Sequence, residues 1–332
     1  MVFRQAVAIC ISVILSGILS AQTIVNPKLD TKLSVLNERA YFNFPAGTAS
    51  TERTTDIMSA PHNVNEETRI VYSSGAEKLV FFAQELYLVS DRNLFKELCN
   101  DSAYKVNFTS KEFSGHDSMY SILSTPVHYD SSQTAILINS LLVQTPDSSL
   151  FRVDAYINAA AFTSRIQFQA LTENIFHTLS KGVRTMKRNE KTEEYYLLDS
   201  TQAFYFHLPF NYCITVDQAY DFKVFKFHKF RKFTDNVWGD MLIYIGNHPS
   251  YVYMDYGLDE ANAMKDSSLF LSEQTQWMFF SDNMQGIFLK EQVLQKDDNG
   301  AGAKMHVAMI TNDQGLMPEL TKIAEDIKLL KK

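Results

Sequence analysis

Cysteine, proline, glycine and tryptophan are all scarce in this chain of 332 residues, with 3, 8, 12 and 2 copies. So little glycine and proline excludes a collagen-like or low-complexity chain. Three cysteines without a CxxC pair exclude a disulfide-dense scaffold and a cysteine zinc site. Cys10 falls in the N-terminal apolar run. Cys99 and Cys213 lie in different halves and read as small buried hydrophobes. Beyond residues 1–21 there is no long apolar run, which excludes a helical protein with many membrane spans. Phosphate loops, HExxH, GxSxG and EF-hand patterns are also missing. Aromatic residues are plentiful, with 24 Phe and 16 Tyr, and this much apolar surface excludes disorder for most of the chain.

Residues 1–21 read as a secretory signal peptide. Arg4 supplies the positive start, Ala6 to Leu15 the apolar stretch, and Ser20-Ala21 the small residues before Gln22. Leu19 is bulky for its position, so an uncleaved anchor is the alternative. Cleavage near Ala21 would leave a periplasmic or secreted protein. Losing Arg4 takes the formal net charge from −7 to −8, which argues against nucleic acid as a partner.

The remainder repeats itself. Ala40 to Pro45 matches Phe204 to Pro209. Lys78 to Phe82 matches Met241 to Ile245, and Leu150 to Ile157 matches Ala303 to Ile310. After each copy comes a helical apolar stripe: Phe168, Leu171, Ile175 and Leu179, then Leu316, Leu320, Ile323, Ile327 and Leu330. Gly182 is expected to stop the first helix, and Pro318 sits in the first turn of the second. Short aromatic and β-branched strands with turn residues between them predict hairpins. The expected class is therefore α+β: two similar domains, each an antiparallel sheet closed by a C-terminal amphipathic helix. The expected boundaries are 22–180 for the first domain, 181–194 for a charged linker and 195–332 for the second domain.

Each half opens with an aromatic strand ending in proline (Tyr41-Phe42-Asn43-Phe44-Pro45 and Tyr205-Phe206-His207-Leu208-Pro209) and ends in a strand followed by a helix. In this order of elements the chain resembles the PsbP-like α/β sandwich family, over about residues 35–180 and 195–332. The resemblance implies a protein that binds or helps assemble other proteins. It transfers no functional residue, because no local motif matches one.

Candidate chemistry is sparse. The eight histidines are scattered singly, so neither a metal nor any other cofactor is expected. Glu173 and His177 are four apart on a helix, which is two ligands and not a site. His116-Asp117 with Ser114 or Ser118 would need help from the fold to form a triad. The segment Phe222 to Phe233 interleaves five Phe with five Lys/Arg. One reading makes it a contact for a protein partner or, peripherally, an anionic membrane. The other makes it an edge strand that uses lysine against unwanted pairing. Phe225, Lys226, Phe227, Lys229 and Phe230 are the candidate binding residues there. Tyr251 and Tyr253 are added from the tyrosine-rich stretch 251–256, since tyrosine favours interfaces. The expectation is an exported, non-enzymatic protein that binds a protein partner or supports assembly of a cell-envelope complex. The alternatives are an envelope hydrolase whose residues converge only in the fold, and a carrier of an apolar ligand.

Overall fold

The sequence Leu79-Val80-Phe81-Phe82-Ala83 alternates between two environments: Leu79, Phe81 and Ala83 are buried and their neighbours are half-buried. That period of two extends a strand of 13 residues, β5 (Glu77–Val89). The computed structural model describes residues 27–54, 66–90, 109–115, 118–124, 135–186, 191–197, 202–232, 234–247, 249–295 and 304–331. The expected signal peptide, Cys99, His62, His116, Asp117, His128 and Phe233 lie outside them.

The strands before the first long helix are β1 (Leu29–Val35), β2 (Ala40–Pro45), β3 (Ala49–Thr54), β4 (Glu66–Ser74), β5, β6 (Thr109–Gly115), β7 (Ser118–Ser124), β8 (Ala135–Gln144) and β9 (Ser149–Asn158). Helix α1 (Arg165–Phe176) follows, then β10 (Ser180–Lys181). Next come β11 (Lys191–Tyr196), β12 (Gln202–Leu208), β13 (Tyr212–Gln218), β14 (Phe222–Lys229), β15 (Arg231–Lys232) and β16 (Gly239–Gly246). The short helix α2 (Val252–Asp255) precedes β17 (Met264–Phe270), β18 (Glu273–Asp282), β19 (Ile287–Gln295) and β20 (Lys304–Thr311). Helix α3 (Met317–Glu325) and β21 (Lys328–Lys331) end the described chain.

This overturns the expected α+β class. The chain is mostly antiparallel β, arranged in four sheets: β1-β2-β10, β11-β12-β21 and two large ones. Neither half is closed by its helix, because the chain leaves each helix to add a strand to a three-stranded sheet, β10 beside β2 and β21 beside β12. The apolar stripes run longer than the helices that form. Helix α1 stops at Phe176, before Leu179, and α3 stops at Glu325, so Ile327 lies beyond it and Leu330 sits on β21. Leu330 occupies a helical position by spacing and a strand position in fact. Gly182 does not stop the helix. A Cβ there would come within 1.9 Å of the Glu38 carbonyl oxygen, so its role is close backbone approach.

The two large sheets share one strand order over seven strands. The first runs β3-β4-β5-β9-β8-β7-β6 and the second β13-β14-β16-β20-β19-β18-β17. The repeated segments sit on corresponding strands, but two of the three sequence matches are one residue out of step. Leu79 packs in the first core, whereas Leu242, its expected counterpart, faces the opposite side of its sheet. Pairing of Phe81 with Ala155 and of Ile243 with Val307 makes Phe81 and Ile243 the matching core positions. A slip of one residue exchanges the two faces of a strand.

Aromatic rings fill both cores between small sheet, helix and large sheet. In the first, Phe81 touches Phe44 at 5.2 Å and Phe176 at 6.0 Å between centroids. In the second, Phe206 meets Phe227 at 5.1 Å and Phe204 meets Phe225 at 5.6 Å, both edge to face. The halves are joined directly. β15 pairs in parallel with the end of β5, Arg231 opposite Leu88 and Lys232 opposite Val89. Residues 181–194, expected as a linker, hold Lys181 of β10, the buried Met186 and the start of β11.

Candidate binding surface

The basic and aromatic segment is not a surface. β14 pairs with β13 on one side and β16 on the other, so it is a central strand and not a guarded edge. Phe225 and Phe227 are fully buried in the second core. Phe230 is buried with Tyr87, Met186 and Cys213, where the halves meet. Lys229 donates to Glu319 at 2.7 and 2.9 Å, fastening β14 to α3. Tyr253 is buried against Phe280 with ring centroids 5.1 Å apart, and Tyr251 is half-buried beside it. The poor alternation of the segment has a simple cause: both faces of β14 are covered, so neither had to be polar.

Lys226 is the outlier among these residues, 1% exposed on a strand in mid-sheet. Burial pushes its amine down to about 7, and Asp240 opposes that only in part. Two residues on, on the same face, His228 Nε2 lies 3.0 Å from Thr215 Oγ1, and its Nδ1 lies 3.6 Å from Asp240. The His228 ring stacks on Tyr87 of the other half at 3.8 Å and 6°. Tyr87 reaches it from an irregular stretch of β5, with a φ of 50°, a conformation that costs a bulky residue energy.

Two further polar knots are equally inward. Arg39 is buried and donates to Glu85, Asp147, Thr145 and Ser149, which ties the turn before β2 to β5, to the turn after β8 and to the start of β9. Burial raises the Asp147 carboxyl, but Arg39 and hydrogen bonds from Thr145 and Ser149 outweigh it and hold the group below its ordinary value. The second knot is Glu291 with His306, both fully buried. Glu291 accepts the backbone N–H of Val252 at 2.6 Å and of Tyr253 at 3.1 Å, and His306 Nε2 stands 2.5 Å away. This carboxylate holds the start of α2, with Tyr253, against the face of the sheet. All three knots fasten elements together, and the space beside the Arg39 knot is only about 60 Å³.

The apolar-carrier reading needs a cavity of several hundred Å³. The gap under α1, lined by Phe42, Phe44, Phe81 and Phe176, admits no water, and the pocket beside Arg39 and Gly182 holds about 60 Å³. Among the described residues, no group of three or more His, Cys, Asp and Glu could hold a metal ion, and no helix is long and apolar enough to cross a membrane.

An exposed face lies elsewhere, on the sheet β11-β12-β21. Its inner side carries Phe204, Phe206 and Leu208 into the core. Its outer side presents two rows in register. Glu194, Tyr205 and Lys328 form one, and Tyr196 and Leu330, on either side of the fully buried Ala203, the next. Tyr196, Tyr205 and Leu330 are 45%, 39% and 38% exposed. Phe210, just past the end of β12, is 59% exposed. Sequence reasoning used Tyr205 only as part of a repeated strand. The signal for the face was present in the alternation Glu194-Tyr195-Tyr196, but the pattern does not say which side is covered.

No family model and no curated protein matches the chain. Among solved structures, similarity is faint. The immunity protein TplEi of the T6SS from Pseudomonas aeruginosa, complexed with an "L" peptide, is 9% identical at a TM-score of 0.21, covering 91% of this chain and 99% of that one. The binding domain of botulinum neurotoxin DC, in complex with SialylT, is 10% identical at a TM-score of 0.12, covering 92% and 100%. Scores this low fix neither fold nor function, and neither structure points to a PsbP-like domain.

Proposed function

We propose that the chain is an exported, non-enzymatic protein that works by contact with another protein, as a binding or assembly component of the cell envelope. The carrying observation is the outer face of β11-β12-β21, where Tyr205 in one row and Tyr196 and Leu330 in the next are all exposed. Tyrosine offers a large, stiff ring with a polar tip, which suits a surface that is wet when free and buried when bound. Burial of the lysine, arginine, glutamate and histidine knots supports the reading too, because their bonds are spent inside the fold. Export is supported by Arg4, the apolar stretch from Ala6 to Leu15 and Ser20-Ala21.

The test is capture of partners from envelope extracts with the tagged chain and with the double variant Tyr196→Ser, Tyr205→Ser. The variant is expected to melt like the parent and to lose the captured protein. Capture that survives in the variant would move the contact off this face. N-terminal sequencing of the exported form is expected to begin at Gln22; retention of Met1 in a membrane fraction would overturn cleavage.

A further inference from the structure

One strand carries two bases to the place where the halves meet. Lys226 and His228 are two residues apart on the same face of β14, 1% and 3% exposed. The opposite face of the strand, with Phe225 and Phe227, is sealed in the second core. β13 and β16 flank it within the sheet. Water can therefore reach the Lys226 amine from one side only, and two covers lie on that side. Toward Phe222, Val224 and Leu242 share a buried cluster with Val252 and Tyr253 of α2. Toward Lys229, the Tyr87 ring of the other half stacks on His228. Glu291 holds the first cover by two backbone amides. The second is strained: Tyr87 sits at a φ of 50°, where β5 loses its register with β9 between Glu85 and Leu88. Lifting Tyr87 releases that strain, so this cover is the one poised to move.

Among the described residues, the other charged or titratable groups on this face are Cys213 and Asp217 on β13 and Asp240 and Tyr244 on β16. α2 adds Tyr253 and Asp255, and the first half adds Tyr87. Asp240 serves both bases: its carboxylate is 3.6 Å from His228 Nδ1 and also attracts the Lys226 amine. Thr215, 3.0 Å from His228 Nε2, brings no charge. One carboxylate shared by two buried bases compensates a charged Lys226 only in part, and water is the remaining source of solvation.

We propose that the contact between the halves is a proton-operated joint, closed while the Lys226 amine is neutral and opened as Tyr87 lifts and the amine takes up a proton. The proton comes from solvent and returns to it on closure. The two environments set the sign. Closed, burial holds the amine at about 7; open, it returns to its ordinary 10.5. Between those values the open joint binds more protons than the closed one. Opening therefore becomes more frequent as the pH falls through that window, and levels off below about pH 7. From about pH 9.5 to about pH 7.5 the opening constant should rise about fifty-fold. The joint is independent of the protein-contact face on β11-β12-β21.

Cys213 reports on the joint, because it lies opposite His228 in the register and packs with Tyr87 and Phe230. In the chain from Gln22 with Cys99→Ser it is the one thiol. Its labelling by an aromatic disulfide reagent is timed from about pH 7 to about pH 9.5, with and without low urea. Each rate is divided by that of the urea-unfolded chain at the same pH, which removes the titration of the thiol itself. The normalised rate is expected to rise about fifty-fold as the pH falls from about 9.5 to about 7.5, and to depend little on low urea, as a local opening does. Lys226→Met should flatten the pH dependence. Tyr87→Ala removes the cover and should raise the rate at every pH. A parent rate that does not change with pH would overturn the joint, as would a Lys226→Met rate that keeps the full slope or a Tyr87→Ala chain that labels no faster. A slope that appears only with global unfolding in urea would overturn it as well.

Discussion

Replacing Lys226 with Met should stabilise this protein, and should do so less as the pH rises. The amine sits on a central strand, 1% exposed, and burial brings it from 10.5 down to about 7. The unfolded chain therefore holds this proton more tightly than the folded one throughout that window. Stability of the parent must rise with pH from about 7 to about 10.5, because there the unfolded state carries more bound protons. At about 1.4 kcal/mol for each tenfold change, the full cost of charging the buried amine is about 5 kcal/mol below pH 7. Methionine keeps most of the stem and removes the charge. It also removes the attraction to Asp240 and the amine's own polar contacts, so only part of that cost is recovered. Exchanges of buried charge for apolar volume suggest a gain of about 1–4 kcal/mol at pH 6. Urea unfolding at unit steps from pH 6 to pH 10 measures both quantities. The gain should be largest at pH 6 and should shrink through the upper window, since the variant lacks the titrating group. A variant less stable than the parent at pH 6, or a difference that does not change with pH, would show that the amine is charged and well satisfied in the fold.

Other perturbations probe the remaining fastenings. Arg39→Met leaves Glu85 buried without its cation and should cost about 3–5 kcal/mol by urea unfolding; with Arg39 in place, the depressed Asp147 carboxyl adds stability above its ordinary titration near 3.8 that is lost as the pH falls through its lower folded value. Glu291→Gln removes one of two acceptors for the Val252 and Tyr253 amides, so hydrogen exchange should quicken at residues 252–254 well before it does in β16 or β20. Ile323→Ala should cost about 2–5 kcal/mol because the side chain is 2% exposed in the second core, whereas Lys322→Ala on the same helix should stay within about 0.5 kcal/mol. Gly182→Ala should cost about 1–3 kcal/mol, because backbone of Glu38 and Arg39 must shift to admit the methyl.

How much of this was legible depends on what each pattern encodes. The aromatic strands Tyr41 to Pro45 and Tyr205 to Pro209 could be matched because their buried and exposed positions agree and a proline ends both. The later matches found the right strands in the wrong register, since runs such as Leu79 to Phe82 and Met241 to Ile245 are apolar at every position. Where both faces of a strand are covered, hydrophobicity carries no phase, and a slip of one residue cannot be seen. The same blindness hid β14. Its lysines read as exposed because charge is usually exposed, and only the fold shows that Lys226 lies under a packed face. The helices were overextended for a related reason: Ile327 and Leu330 satisfy the helical spacing, yet pairing with β12 turns that segment into β21. Local propensity yields there to a sheet edge that needs a partner.

The buried ionisable groups and the exposed aromatic face follow from one property of the fold. Each half places a three-stranded sheet and a helix over a seven-stranded sheet, which leaves two outer faces per half to be finished. On the large sheet of the second half, the finish is covalently local: residues 251–256 lie over it and Glu291 pins them by their amides. Where that sheet meets the first half, His228 under Tyr87 and the parallel pair of β15 with β5 complete it. On the small sheet of the first half, Lys32 over Tyr41 is enough. Two of these outer faces are thus covered, at least in part, by residues of the chain itself. On the outer face of β11-β12-β21, Tyr196, Tyr205 and Leu330 are exposed, and Glu194 and Lys328 flank Tyr205 on the neighbouring strands. Exposed rings of this kind gain free energy on burial by a partner, which is the basis of the protein-contact reading.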